Sequence, residues 1–216
     1  MQQILKDYQA IYQTEAIGKL KRKKQHQSVI EWLGKEYSEI PDMQEVLCFI
    51  RENQNIPFTK HFYDRLVFTQ IRLSKDQYDV DALLMVFQKK VVDQYEEFLR
   101  YDISIQELEN IVLTKYRGNK DILNYRYRRQ LKWFDYSVHE VPTGVLCGVN
   151  GAAIEDICEM KKDLLEFEKL SISMNIDNRE KIRSISVIYD AYEQYLIKRN
   201  LYRNFQHYLE MNSIQY

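Results

Sequence analysis

The chain has 216 residues, of which 45% are hydrophobic, so it can bury a continuous core as one large domain or two small ones. Its 31 Lys and Arg residues almost balance its 32 Asp and Glu residues, and the net charge of -1 argues against a surface that binds nucleic acid everywhere. Only 6 Gly and 3 Pro residues are present, too few for an all-β fold, which needs a turn about every ten residues.

The cysteines and the N-terminal sequence indicate the compartment. Cys48, Cys147 and Cys158 are odd in number and irregularly spaced, which excludes a disulfide framework and favours free thiols. The first residues lack the apolar core of a signal peptide, and no stretch of about 18 apolar residues could cross a membrane. We therefore expect a cytoplasmic protein without a membrane anchor.

Apolar residues three and four positions apart predict helices along the N-terminal half. Asp42 and Glu45 have the spacing of a capping box, and so do Ser104 and Glu107. The positions predicted to face inward are, in chain order, Ile4, Tyr8, Ile11, Val29, Ile30, Leu33, Tyr37, Val46, Phe49, Ile50, Phe58, Phe62, Leu66, Thr69 and Leu73. The second of these helices is predicted to stop near Pro41.

The clearest helix follows, where a single apolar stripe continues for about five turns. Phe87 and Val91 lie at its centre, so we expect both to be almost fully buried. The whole stripe comprises Val80, Leu83, Leu84, Phe87, Val91, Tyr95 and Phe98.

The C-terminal half continues the same pattern, and Asp177 to Glu180 is predicted to cap one of its helices. Its inward positions are Leu108, Ile111, Val112, Leu123, Tyr127, Leu131, Phe134, Val138, Ile154, Ile157, Cys158, Leu164, Leu165, Ile182, Ile185, Tyr189, Tyr192, Leu196, Leu201, Phe205, Tyr208 and Leu209.

About ten helices joined by short loops predict an all-α array of antiparallel helical hairpins. The residues Tyr95–Leu99 and Tyr192–Leu196 are similar in sequence. Each segment lies near the end of a predicted long helix, and a predicted short helix follows it. Such hairpin units resemble those of tetratricopeptide-like solenoids, although the consensus of that repeat is not met. The array is therefore either a tetratricopeptide-like or HEAT-like α-solenoid or an irregular helical bundle.

One segment, 139–151, interrupts the helical pattern and holds three of the six glycines. It divides the chain into an N-terminal helical part, 1–138, and a C-terminal one, 152–216, which we expect to form one continuous domain. A long loop of this kind is either functional or a structural crossing. Cys147 and His139 could form a thiolate pair there, but a packed free cysteine is the more ordinary interpretation.

The sequence contains no metal, cofactor or catalytic motif. His139 and Glu140 begin like a zinc-peptidase HExxH motif, but Thr143 stands where the second histidine is needed. Gly144, Gly148 and Gly151 are not followed by the Lys and Ser or Thr of a P-loop. We therefore expect no metal, no cofactor and no enzymatic activity.

Two hypotheses of function stay open. The first is a protein–protein interaction module, such as an adaptor, an inhibitor or an immunity-type protein, because helical arrays make extended binding surfaces. We expect its binding residues at the loop and on the preceding helix: His139, Glu140, Arg126, Arg129 and Trp133. The second is a nucleic-acid-associated protein that uses two basic runs, 19–24 and 115–132, in which tyrosines accompany the second run.

Overall fold

A computed structural model describes residues 2–13, 18–88, 91, 103–146 and 151–216. These residues form ten helices and no strand, which confirms the predicted all-α class. The helices are α1 Gln3–Tyr12, α2 Gly18–Gly34, α3 Met43–Glu52, α4 (Lys60–Phe62, a π-helical segment Tyr63–Val67, then Phe68–Asp76), α5 Val80–Gln88, α6 Ile105–Lys115, α7 Lys120–Val138, α8 Ile154–Ser173, α9 Arg179–Ile197 and α10 Phe205–Met211.

The helices belong to two compact units, Met1–Ile122 and Leu123–Tyr216. The boundary lies in the first turn of α7, and the described part of the segment 139–151 belongs to the second unit. None of the helices in the described residues is both long enough and apolar enough to cross a membrane. The similarity between Tyr95–Leu99 and Tyr192–Leu196 involves residues outside the described ones, so the repeat stays a prediction.

Tyr8 is the centre of the first unit's core and is fully buried. Its ring lies 5.0 Å from that of Trp32 and 4.7 Å from that of Phe62, which brings α1, α2 and α4 together. Its hydroxyl donates a hydrogen bond to the Pro57 carbonyl at 2.9 Å and accepts one from the Thr59 N–H at 3.1 Å. A buried phenol needs such partners, so this one side chain fixes both the core and the start of α4.

Arg65 joins α4 to the end of α2. Its guanidinium donates hydrogen bonds to the carbonyls of Trp32 and Lys35, and it lies 4.8 Å from the Trp32 ring and 5.2 Å from the Tyr37 ring. A cation at a helix C-terminus satisfies carbonyls that lack partners within the helix and interacts favourably with the helix dipole. The prediction that α2 stops near Pro41 is wrong: the helix ends at Gly34, and Arg65 binds carbonyls at that end.

The capping predictions are confirmed in one case and corrected in two. Asp42 and Glu45 form the complete capping box. The Ser104 side chain accepts from the Glu107 N–H at 3.2 Å, but the Glu107 carboxylate pairs with Lys75 at 2.7 Å and does not complete a box. Around the start of α9, a different interaction replaces the predicted cap: the Asp177 carboxylate accepts hydrogen bonds from the Arg179 side chain and N–H, which lower the Asp177 pKa to about 2.

Burial confirms most of the predicted inward positions. Phe87 is only 4% exposed to solvent and Val91 only 6%, as predicted. The prediction of burial is wrong where the apolar stripe of a helix is wider than its contact with neighbouring helices. The predicted inward side chains that are exposed are Ile30, Leu73, Ile154, Cys158, Leu165 and Leu201. On α2 the buried position is Trp32, whose indole N–H donates to the Ile4 carbonyl at 3.0 Å.

Truncating Phe87 tests the interior of the first unit. Because the side chain is almost fully buried, Phe87→Ala leaves a cavity and should lower the free energy of unfolding by roughly 3–5 kcal/mol. Urea denaturation followed by circular dichroism measures the change. The exposed Leu73 on α4 supplies the control, since Leu73→Ala should cost well under 1 kcal/mol. Equal losses for the two variants would contradict the assigned interior.

Candidate functional site

The orientation of α7 is set by aromatic side chains on its buried side. Phe134 is fully buried and its ring lies 5.2 Å from that of Phe167 on α8, while Tyr127 stacks on the same ring at 5.4 Å. On the side of α9, the Ser137 and Tyr189 hydroxyls form a buried hydrogen bond of 2.6 Å. Burial raises the pKa of Tyr189 to about 12, so this phenol keeps its proton at neutral pH.

A face of α7 that adjoins the buried side carries a row of basic and aromatic side chains. Arg126, Arg129, Trp133 and Tyr136 follow one another at intervals of three, four and three residues, which places them on one helical face. Trp133 is 40% exposed and Tyr136 56% exposed, and their ring centres are 6.1 Å apart. We call these four residues, together with His139 and Glu140, the α7 face.

His139 and Glu140 continue the row just beyond the last residue of α7. The His139 ring stacks on Tyr136 at 4.9 Å, and its Nδ1 lies 2.5 Å from the Tyr136 carbonyl oxygen. Its Nε2 lies 3.5 Å from the Glu140 carboxylate, and the two side chains are 47% and 43% exposed. His139 is therefore held against the helix but stays accessible to solvent.

The predicted site residues lie along one surface and do not converge on a point. Arg126 and His139 are thirteen positions apart, which corresponds to roughly 20 Å along a helix. A row of this length suits contact with another macromolecule better than catalysis, which needs its groups within about 3 Å of a reacting atom. Tyr136 was missed by the sequence analysis, although its three-residue spacing from Trp133 was a sufficient signal.

The neighbouring helix α8 is acidic and lies close to the α7 face. The pKa of Asp163 is raised by burial and by Glu159 and Glu166, while the charge of Arg129 opposes that rise. Arg129 therefore lies near enough to Asp163 to act on its charge. Farther round α8, Lys161 forms ion pairs with Asp190 at 2.6 Å and with Glu193 at 2.8 Å.

The two predicted basic runs differ in their surroundings. In the second, Lys115 forms an ion pair with Asp81 at 2.8 Å, and the charge of Arg129 acts on Asp163. In the first, Lys19 to Lys24 lie in the first two turns of α2, and within the described residues none of these cations takes part in an ion pair. The first run is therefore the more available to an external anion.

The described residues include no group of three His, Cys, Asp or Glu side chains that could hold a metal ion. Cys147 lies outside the described residues, so its pairing with His139 stays a prediction. An open groove of about 990 Å³ lies between the end of α7 and the start of α9 in the second unit. Side chains of both charges line it, and two of them, Asp135 and Lys181, form an ion pair of 2.5 Å.

Comparison with models of protein families, with curated proteins and with solved structures finds no match to this chain.

The described part of the segment after α7 is folded against the second unit. The Leu146 N–H donates to the Ser137 carbonyl, the Ala152 N–H donates to the Val145 carbonyl, both at 2.9 Å, and Val145 is fully buried. Gly151 has a φ of +64°, and a Cβ there would lie 2.4 Å from the Tyr192 hydroxyl. This position therefore requires glycine for two reasons, its left-handed backbone and its close approach to a buried ring.

Gly151→Ala should lower the free energy of unfolding by about 2–4 kcal/mol, because it adds left-handed strain to a steric overlap with Tyr192. Gly34→Ala is the matched control, since an added Cβ there meets nothing within 4 Å and φ is not positive. That control should leave stability unchanged or raise it by up to about 1 kcal/mol. Thermal denaturation compares the two; equal melting temperatures would show that the segment is not packed as described.

Proposed function

We propose that this chain is a protein-binding module, an adaptor, inhibitor or immunity-type protein without catalytic activity, whose partner docks on the α7 face. The observation that carries the proposal is the pair of exposed rings of Trp133 and Tyr136, 40% and 56% accessible and 6.1 Å apart in one row with two arginines. Trp, Tyr and Arg are the residues that contribute most of the binding energy at protein interfaces. Exposed aromatic pairs are costly to leave in water, and a partner that covers them recovers that cost.

The rigid position of the row supports the same proposal. Phe167 packs against Tyr127 and Phe134 behind the helix, so the exposed side chains start from a fixed backbone. Stacking of His139 on Tyr136 orders the end of the row as well. Binding then costs less conformational entropy than it would from a mobile loop. A partner with an apolar centre fits the two exposed rings best.

The alternative is a nucleic-acid-associated protein, and the exposed cations of α2 favour it. Five basic side chains within residues 19–24 can neutralise phosphates, and their binding would weaken steeply with salt. The α7 face is less suited to this role, because the acidic surface of α8 beside Arg129 repels phosphates. A salt titration of binding to random RNA and DNA separates this alternative from protein binding.

We propose that the protein is located in the cytoplasm. Cys48 and Cys158 are free, and Cys158 is exposed. Exposed free thiols suit a reducing compartment, whereas an oxidising one promotes disulfide formation.

The rings are tested by the double variant Trp133→Ala, Tyr136→Ala. Capture of partners from the native host, read by mass spectrometry, should identify proteins that bind the wild-type chain and lose at least about tenfold in affinity for the variant. The control is Leu201→Ala, Tyr216→Ala, which removes two side chains of the same unit that are 73% and 58% exposed. A partner that binds all three proteins equally would contradict docking on the α7 face.

The end of the row has its own test, His139→Ala, Glu140→Ala. Because both side chains are about half exposed, the change should weaken partner binding and leave the melting temperature nearly unchanged. Differential scanning calorimetry and titration of the captured partner measure the two effects. If these residues serve only the structure, the result reverses: binding is kept and the melting temperature falls by roughly 2–4 °C for each kcal/mol lost.

A further inference from the structure

A groove in the first unit is lined mainly by side-chain amides. It lies between the end of α1, the first half of α2 and the segment that joins α3 to α4, and its volume is about 310 Å³. This value is at the lower end of the range for small-molecule sites, roughly 300–1,000 Å³. The nine described residues that line it include five side-chain amides, one tyrosine and one lysine, and none of these nine is acidic. The amides are those of Gln9, Gln13, Gln25, Asn53 and Asn55.

Two of the amides are fixed and three are available. Gln9 donates a hydrogen bond of 2.8 Å to Asn53, which itself donates one of 2.9 Å to the Phe49 carbonyl. In the described part of the chain, the side chains of Gln13 and Gln25 have no hydrogen-bond partner, and the same is true of Asn55. Each amide offers both donors and an acceptor, which is the pattern on the edges of nucleobases.

The rest of the lining suits the other parts of a nucleotide. Tyr12 presents a partly exposed ring at the wall of the groove, and aromatic rings stack on bases of any sequence. Lys21 also lines the groove, and it is one of the unpaired cations in the first two turns of α2. The positive end of the α2 dipole strengthens the attraction of this region for a phosphate.

We propose that this groove binds a nucleotide unit, with the base against the amides and Tyr12 and the phosphate at Lys21. The nucleotide comes from one of two sources, a single-stranded nucleic acid whose backbone continues along the cations of α2, or a free nucleotide. The groove belongs to the first unit, so this proposal is independent of partner binding on the α7 face.

The experiment measures binding of fluorescein-labelled single-stranded oligo(U) and oligo(dA) to the full chain by fluorescence anisotropy. Lys21→Gln and Gln25→Ala each remove one contact in the groove and should weaken binding about tenfold. Lys23→Gln is the matched control: it removes the same charge from the same exposed run but does not line the groove, and should change affinity less than twofold. Circular dichroism establishes that the variants are folded.

Competition distinguishes the two sources. Unlabelled AMP or UMP that displaces the oligonucleotide at micromolar to low millimolar concentration supports a free nucleotide; retention of the oligonucleotide under those conditions supports a strand. Equal weakening by Lys21→Gln and Lys23→Gln, with Gln25→Ala unchanged, would mean general attraction of phosphates to α2 and would overturn the groove. Failure of the wild-type chain to bind both oligonucleotides and both mononucleotides would overturn the proposal as a whole.

Discussion

Phe167 packs against Tyr127 at 5.4 Å and Phe134 at 5.2 Å, and the arrangement of the second unit depends on this contact. It fixes the rotation of α7 about its axis, because both partners lie on the same side of that helix. The hydrogen bond between Ser137 and Tyr189 adds a directional constraint from α9. Once this side is buried, the rings of Trp133 and Tyr136 on the adjoining face stay exposed to solvent, whereas Arg126 and Arg129 are half-buried.

The first unit follows a similar principle with different chemistry. Tyr8 gathers the rings of three helices, and Arg65 binds the last carbonyls of α2 between two aromatic rings. These contacts hold the C-terminal half of α2 in the core and leave its basic N-terminal half exposed. In each unit, therefore, one helix is packed into the core along part of its length and carries an exposed surface along another part. Anchoring of this kind lowers the entropy lost when a partner or ligand binds.

Helical periodicity was sufficient to predict the fold class and the buried side of α7, because Tyr127 and Phe134 recur at intervals that only one helical face satisfies. It overestimated burial at Leu165, since a helix that contacts few neighbours does not bury its whole apolar stripe. Which acidic residue Arg129 would act on could not be predicted, because it depends on how two helices are placed together. The amide groove could not be predicted from the sequence either, since its residues come from three separate segments and follow no pattern along the chain.

The central claim, that the α7 face binds a protein, is tested most directly by fluorine NMR of chain labelled with 5-fluorotryptophan. The chain has 2 tryptophans: Trp133 is 40% exposed on the α7 face, whereas Trp32 is 3% exposed in the first unit and serves as an internal reference. Trp133→Phe assigns the two resonances. Titration with a captured partner should shift or broaden the Trp133 resonance while that of Trp32 stays unchanged. A bound partner that leaves the Trp133 resonance unperturbed would contradict the claim.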